Sequence, residues 1–70
     1  MERIVDIQQI RRARLNKGYS QAALAKASGL SLLTVNLIEA KKTKFPQPMT
    51  VKKICDALEL SVSDIYIEAQ

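Results

Sequence analysis

Histidine and tryptophan are absent from this 70-residue sequence, cysteine occurs once, and the aromatic residues are Tyr19, Phe45 and Tyr66 alone. Without histidine and with a single thiol, a zinc or haem site has almost no ligands to draw on, and neither a metal nor another cofactor is expected. The same shortage removes the usual general base near neutral pH. With no clustered carboxylates and no phosphate-cradling glycine loop, the chain does not read as an enzyme. Cys55 cannot form a disulfide within the chain, and its place between Ile54 and Leu58 in an apolar helical pattern marks it as a small core residue. Three scattered aromatics on no strand make no stacking platform for RNA. Two glycines and two prolines are too few for the tight turns of an all-β chain. No apolar run approaches the roughly 18 residues that span a bilayer, and the N-terminus has no signal-peptide core, so a cytoplasmic protein is expected.

What remains is aliphatic and charged. Hydrophobic residues make up 47% of the chain but aromatic residues only 4%, so Ala, Leu, Ile and Val must build the core. These residues, with Lys, Arg, Glu and Gln, are mostly good helix formers, and the length allows one core, so a single all-α domain over residues 1–70 is expected. All eleven Lys and Arg lie between Arg3 and Lys53, opposed there by Glu2, Asp6 and Glu39 alone, which leaves that portion at +8. From Ile54 onward Asp56, Glu59, Asp64 and Glu68 stand without a base, at −4. A polyanion would be drawn to one part of such a molecule, and nucleic acid is the commonest polyanionic partner.

Along the chain, Ile4, Ile7, Ile10, Arg11 and Arg14 recur at helical spacing, and Asn16-Lys17-Gly18 supplies a stop, which predicts a first helix over 4–16. Ser20 caps a short Ala-rich second helix that ends at Ser28-Gly29. Ser31 caps a third, running to Ala40, with Val35 and Ile38 on its inner face. The basic stretch 41–47 leads through both prolines, Pro46 and Pro48, and reads as an ordered loop. A fourth helix from Pro48 or Thr50 to Leu58 carries Val51, Ile54, Cys55 and Leu58 in one stripe, and residues 61–67 form a brief fifth.

Residues 21–40 carry the functional signal, because two short helices joined by a glycine-led turn are the sequence form of a helix-turn-helix. Ala25 is small where the second helix must be crossed closely, and Gly29 opens the turn where a positive φ would exclude most residues. With Ile10-Arg11-x-x-Arg14, Gly18-Tyr19-Ser20-Gln21, Leu24-Ala25, Ser28-Gly29-Leu30-Ser31, Ile38-Glu39 and Ala57-Leu58-x-Leu60-Ser61-Val62, nearly the whole chain resembles the Cro/CI-repressor (Xre) family. The resemblance implies a lambda-repressor-like domain of five short helices with the motif in the second and third. It implies that Gln21 holds a DNA phosphate at a helix N-terminus, and that Arg14 pairs with Glu39 as a structural ion pair. It also implies phosphate contacts by Lys41, Lys42 and Lys44, and a homodimer on palindromic half-sites.

The third helix departs from its relatives. Ser31, Leu32, Leu33, Thr34, Asn36 and Leu37 are the candidate base readers, yet the family commonly places Gln, Arg, Ser or Lys where Leu32, Leu33 and Leu37 stand. Leucines can contact thymine methyl groups, which leaves Asn36, Thr34 and Ser31 as the polar readers. The expected function is therefore a sequence-specific, duplex-DNA-binding transcriptional regulator, with repression favoured over activation. The competing expectation is a protein-interaction module on the same fold, which uses an exposed Leu32/Leu33/Leu37 patch. Ile65, Tyr66 and Ile67 are candidates for a dimer contact, with Ile65 also suited to packing back on the first helix.

Overall fold

A computed structural model describes the backbone of residues 3–41 and 46–68. The order is β1 (Arg3–Val5), α1 (Ile7–Asn16), α2 (Gln21–Ser28), α3 (Leu32–Glu39), α4 (Pro48–Leu58), α5 (Val62–Ile65) and β2 (Tyr66–Glu68).

Local chemistry sets most of these boundaries. The Asp6 carboxylate accepts from Gln9 N at 3.3 Å, Ser20 Oγ from Ala23 N at 3.0 Å and Ser31 Oγ from Thr34 N at 3.0 Å, so three helices start on a side chain that satisfies an orphan amide. α4 instead opens with Pro48, whose missing N–H is no loss in a first turn. α1, α2 and α4 all end in the same way. After α2, Leu30 N reaches back to Ala25 O at 2.9 Å across Gly29, whose φ is +74°. After α1, Tyr19 N reaches Arg14 O across Gly18, and after α4, Leu60 N reaches Cys55 O across Glu59, a non-glycine residue at φ +58°. A Cβ on Gly29 would meet nothing within 4 Å, so glycine is favoured there by the left-handed backbone and not by lack of space.

Three expected helix bounds need correction. Residues 4 and 5 are strand and not helix, and the fifth helix stops at Ile65, because Ile4 pairs with Ile67 and Val5 with Tyr66 in an antiparallel ribbon. Asp6 N donates to Ile65 O at 2.7 Å and closes that ribbon onto α5. Ile4, Val5 and Ile67 are β-branched residues suited to a pleat, and Asp6 breaks the apparent helical run by capping α1 at Ile7. The domain is thus helical with a small two-stranded sheet that joins its two ends. α3 is also one residue shorter at each end than 31–40, with Ser31 as its cap.

One aliphatic core serves all five helices. Ile7 and Ile10 of α1, Leu24 and Ala25 of α2, Val35 and Ile38 of α3, Val51, Ile54, Cys55 and Leu58 of α4, and Ile65 of α5 form one buried cluster. Ile65 is fully buried, so it belongs to this core and is closed to an intermolecular contact, whereas Ile67 is exposed. Burial pushes the Cys55 thiol pKa up, which keeps it neutral and makes it a core atom in effect. α2 and α3 pack on each other on one side of this core, α4 backs α2 and α1 backs α3, and α5 packs against α1 and α4.

Candidate nucleic-acid interface

The turn Gly29-Leu30-Ser31 carries the chain from α2 into α3. Ala25 is buried at the crossing and Leu30 half-buried beneath it, so two eight-residue helices meet closely around small and aliphatic groups. This is a helix-turn-helix, and its second helix is open to solvent along one side. Leu33 is 65% exposed, Leu32 46% and Leu37 39%, and Asn36 and Ala40 are exposed with them.

Behind that helix, a buried polar cluster fixes its far end. Arg14 Nε donates to Glu39 Oε2 at 2.7 Å and Nη2 to Oε1 at 2.9 Å, a two-pronged pairing, and Nη1 donates to Tyr19 O at 2.8 Å. Both residues are buried, and the pair joins α1 to the last residue of α3. Gln21 Nε2 donates to Glu39 Oε1 at 3.2 Å. A carboxylate can only accept, so the amide nitrogen is the end of Gln21 that faces it, and the second N–H of that amide remains free to donate elsewhere. Arg11 Nε lies 3.9 Å from the same Oε1 with its side chain 49% exposed. Arg11 therefore stands beside Gln21 at the start of α2, where backbone amides and the helix dipole already favour an anion. Sequence reasoning assigned no role to Arg11. Its spacing of three from Arg14 was the available signal, since i and i+3 share a helix face.

The polar residues expected to read bases separate once geometry is known. Ser31 Oγ and Thr34 Oγ1 lie 2.8 Å apart, and Ser31 Oγ also caps α3, so each hydroxyl has a partner inside the helix. Asn36 makes no side-chain hydrogen bond to any described residue and is exposed. Glu39 is fully engaged and only 3% exposed at its side chain, and so presents nothing to a ligand. Lys41 is exposed directly after α3, with its backbone left-handed at φ +59° and its N–H on Ile38 O at 3.0 Å. Lys42 and Lys44 lie outside the described residues. Pro46, beyond them, is buried, and Gln47 is exposed.

Among the described residues no cluster of three potential metal ligands occurs, and no helix is long and apolar enough to cross a membrane.

The fold and the open second helix define a DNA-binding regulator of the helix-turn-helix class. The chain belongs to the helix-turn-helix family (HTH_3), which matches residues 10–65, and within it to the Cro/CI, or Xre, type. Its structure is similar to that of the biofilm master regulator SinR in complex with DNA, with a TM-score of 0.77 at 30% identity over 81% of this chain and 90% of that one. It is similar to the N-terminal DNA-binding domain of SinR from Bacillus subtilis, with a TM-score of 0.78 at 30% identity over 81% of this chain and 83% of that one. A structure of the SinR/SinI complex also matches, with a TM-score of 0.80 at 29% identity over 84% of this chain and 57% of that one. None of the curated proteins compared matches the chain.

Proposed function

We propose that this chain is a transcriptional repressor that binds duplex DNA by laying α3 in the major groove while the start of α2 holds a phosphate. The carrying observation is the conjunction at Glu39: one buried carboxylate fixes the end of α3 and presents the amide of Gln21, with the Arg11 cation alongside. A phosphate placed there would accept from the second N–H of Gln21, from free backbone amides of α2 and from Arg11. Lys41 grips the backbone at the other end of α3, joined in this reading by Lys42, Lys44 and the rest of the 41–47 loop.

α3 has eight residues and is about 12 Å long, so it reaches only three or four base pairs. Useful selectivity requires two copies, and a homodimer on half-sites about one turn apart supplies them. Exposed Ile67 is the side chain of the 65–67 segment best placed for a contact between copies, with half-buried Tyr66 beside it. A soluble domain of residues 1–70 acting on DNA in the cytoplasm goes with this reading, as does the lack of catalytic groups noted above.

The exposed leucines favour one competing reading, a protein-binding face on the same fold. The SinR/SinI structure shows that a similar domain can occur in a protein complex. Duplex binding measured at two salt concentrations decides between them. Gln21→Ala and Arg11→Gln should each weaken binding to all sequences, and Arg11→Gln should lower the salt slope by about one. Failure of every duplex to bind in dilute salt would remove the DNA reading.

A further inference from the structure

At 100° per residue the exposed arc of α3 runs Leu32, Asn36, Ala40, Leu33, Leu37. The hydroxyls of Ser31 and Thr34 are bonded to each other, and Glu39 is tied to Arg14. The arc therefore carries no charged donor for the O6/N7 edge of guanine and no carboxylate for the amino group of cytosine; its one hydrogen-bonding side chain is the amide of Asn36, suited to the N6/N7 edge of adenine. Leucine offers only methyl and methylene surface. In the major groove of unmodified DNA the matching apolar group is the C5 methyl of thymine. 5-Methylcytosine carries a methyl on the same ring atom at the same edge. The two bases differ at C4, where one has an accepting oxygen and the other a donating amino group, and leucine senses neither.

We infer that the leucines of α3 make this chain a reader of C5-methylated pyrimidines that does not separate thymine from 5-methylcytosine, so that methylation of cytosine creates binding sites for it. The inference rests on the major-groove reading above and names its ligand chemistry. DNA is the occupant of this apolar face because cations frame it: Lys41 follows its last turn, and Arg11 stands at the α2 terminus behind it. The balance of eleven bases to three acids through Lys53 suits a polyanion better than an average protein surface.

The experiment uses the full chain and one randomised duplex pool made in three chemical forms: with thymine, with uracil in place of thymine, and with uracil plus 5-methylcytosine in place of cytosine. Selection from the first should give a consensus in which thymine flanks adenine. In the second, affinity should fall about fourfold for each contacted methyl removed, the worth of burying one methyl-sized group. In the third, affinity should return with 5-methylcytosine at the former thymine positions. Leu33→Ala and Leu37→Ala, both at exposed positions that leave the core intact, should shrink the difference between the first two pools. Equal affinity for the thymine and uracil pools overturns the inference and leaves groove reading standing. So does a uracil loss that 5-methylcytosine fails to restore, or a methyl effect that persists in both leucine variants. A chain that binds none of the pools overturns the inference together with the DNA reading, and identifies the leucines as a surface for protein.

Discussion

The amide nitrogen of Gln21, the first residue of α2, stands 3.2 Å from Oε1 of Glu39, the last residue of α3. The two outer ends of the helix-turn-helix are thereby tied through one carboxylate, whose other hydrogen bonds come from Arg14 at 2.7 and 2.9 Å. Rigidity of the motif and aim of the Gln21 amide, to which we assign a phosphate, thus depend on the same buried group.

Glu39→Ala should be the most damaging single change in the motif. It leaves the Arg14 guanidinium buried without its partner, at a cost of about 3–5 kcal/mol against a total stability of about 5–15 kcal/mol. Replacing both partners, as Arg14→Met with Glu39→Met, removes the uncompensated charge and should recover most of that loss in urea unfolding, short of what the Tyr19 carbonyl loses. Duplex affinity should not recover in parallel, because Gln21 no longer has its anchor. Full recovery of both would show that Glu39 serves stability alone.

Lys41 should give changes of opposite sign. Its left-handed backbone suits glycine, so Lys41→Gly should raise stability by about 0.5–1 kcal/mol, the backbone relief being partly offset by the freer unfolded chain. The same change removes a cation next to α3, so duplex binding should weaken and its salt slope should fall by about one. Denaturant titration and binding at two salt concentrations read the two effects separately. An unchanged salt slope would take Lys41 out of the interface.

Much of this site was legible locally, and the parts that were not depend on contacts between distant residues. Ser20, Ser31, Gly18 and Gly29 announce helix ends because a cap or a left-handed turn is chemistry of one residue and its near neighbours. Ile4 misled because Ile4, Ile7 and Ile10 continue a three-residue spacing, and the partner that makes it a strand, Ile67, lies near the opposite end of the chain. The absence of any role for Arg11 has the same origin, since only the packing of α1 against α3 brings it to Glu39. Exposure of Leu33 and Leu37 followed from helical phase, whereas the mutual engagement of the Ser31 and Thr34 hydroxyls required their distance.

pH dependence should report the surface link between α1 and α4. Lys17 Nζ lies 2.9 Å from Glu59 Oε1; this hydrogen bond, aided by the opposite charge, holds the Glu59 carboxyl below its ordinary range and the Lys17 amine above its own. A lowered acid pKa contributes stability above the unfolded carboxylate range that is lost as pH falls through the folded value. A raised amine pKa contributes stability below the unfolded lysine range that is lost as pH rises through the folded value. The melting temperature of the native chain should therefore exceed that of Glu59→Gln by a small, nearly constant margin around neutrality. The margin should close in acid and in strong base, and shrink with added salt. A margin that grows as the pH is lowered contradicts this assignment.

Ser31 and Asn36 stand on the same helix, yet their substitution should have different signatures. The Ser31 hydroxyl caps α3 by accepting from Thr34 N at 3.0 Å, so Ser31→Ala should cost about 1 kcal/mol of stability. Binding to all duplexes should then weaken together as the start of α3 frays, with no change in the preferred sequence. Asn36 carries no such duty, since it is exposed and unbonded among the described residues, so Asn36→Ala should leave unfolding within about 0.5 kcal/mol of the native chain. Its loss should instead flatten the preference for adenine at one position of the selected site, by about 1–3 kcal/mol of discrimination. If the Ser31 variant changes the consensus and the Asn36 variant does not, the capping hydroxyl turns outward on DNA and the division of labour between these two residues is reversed.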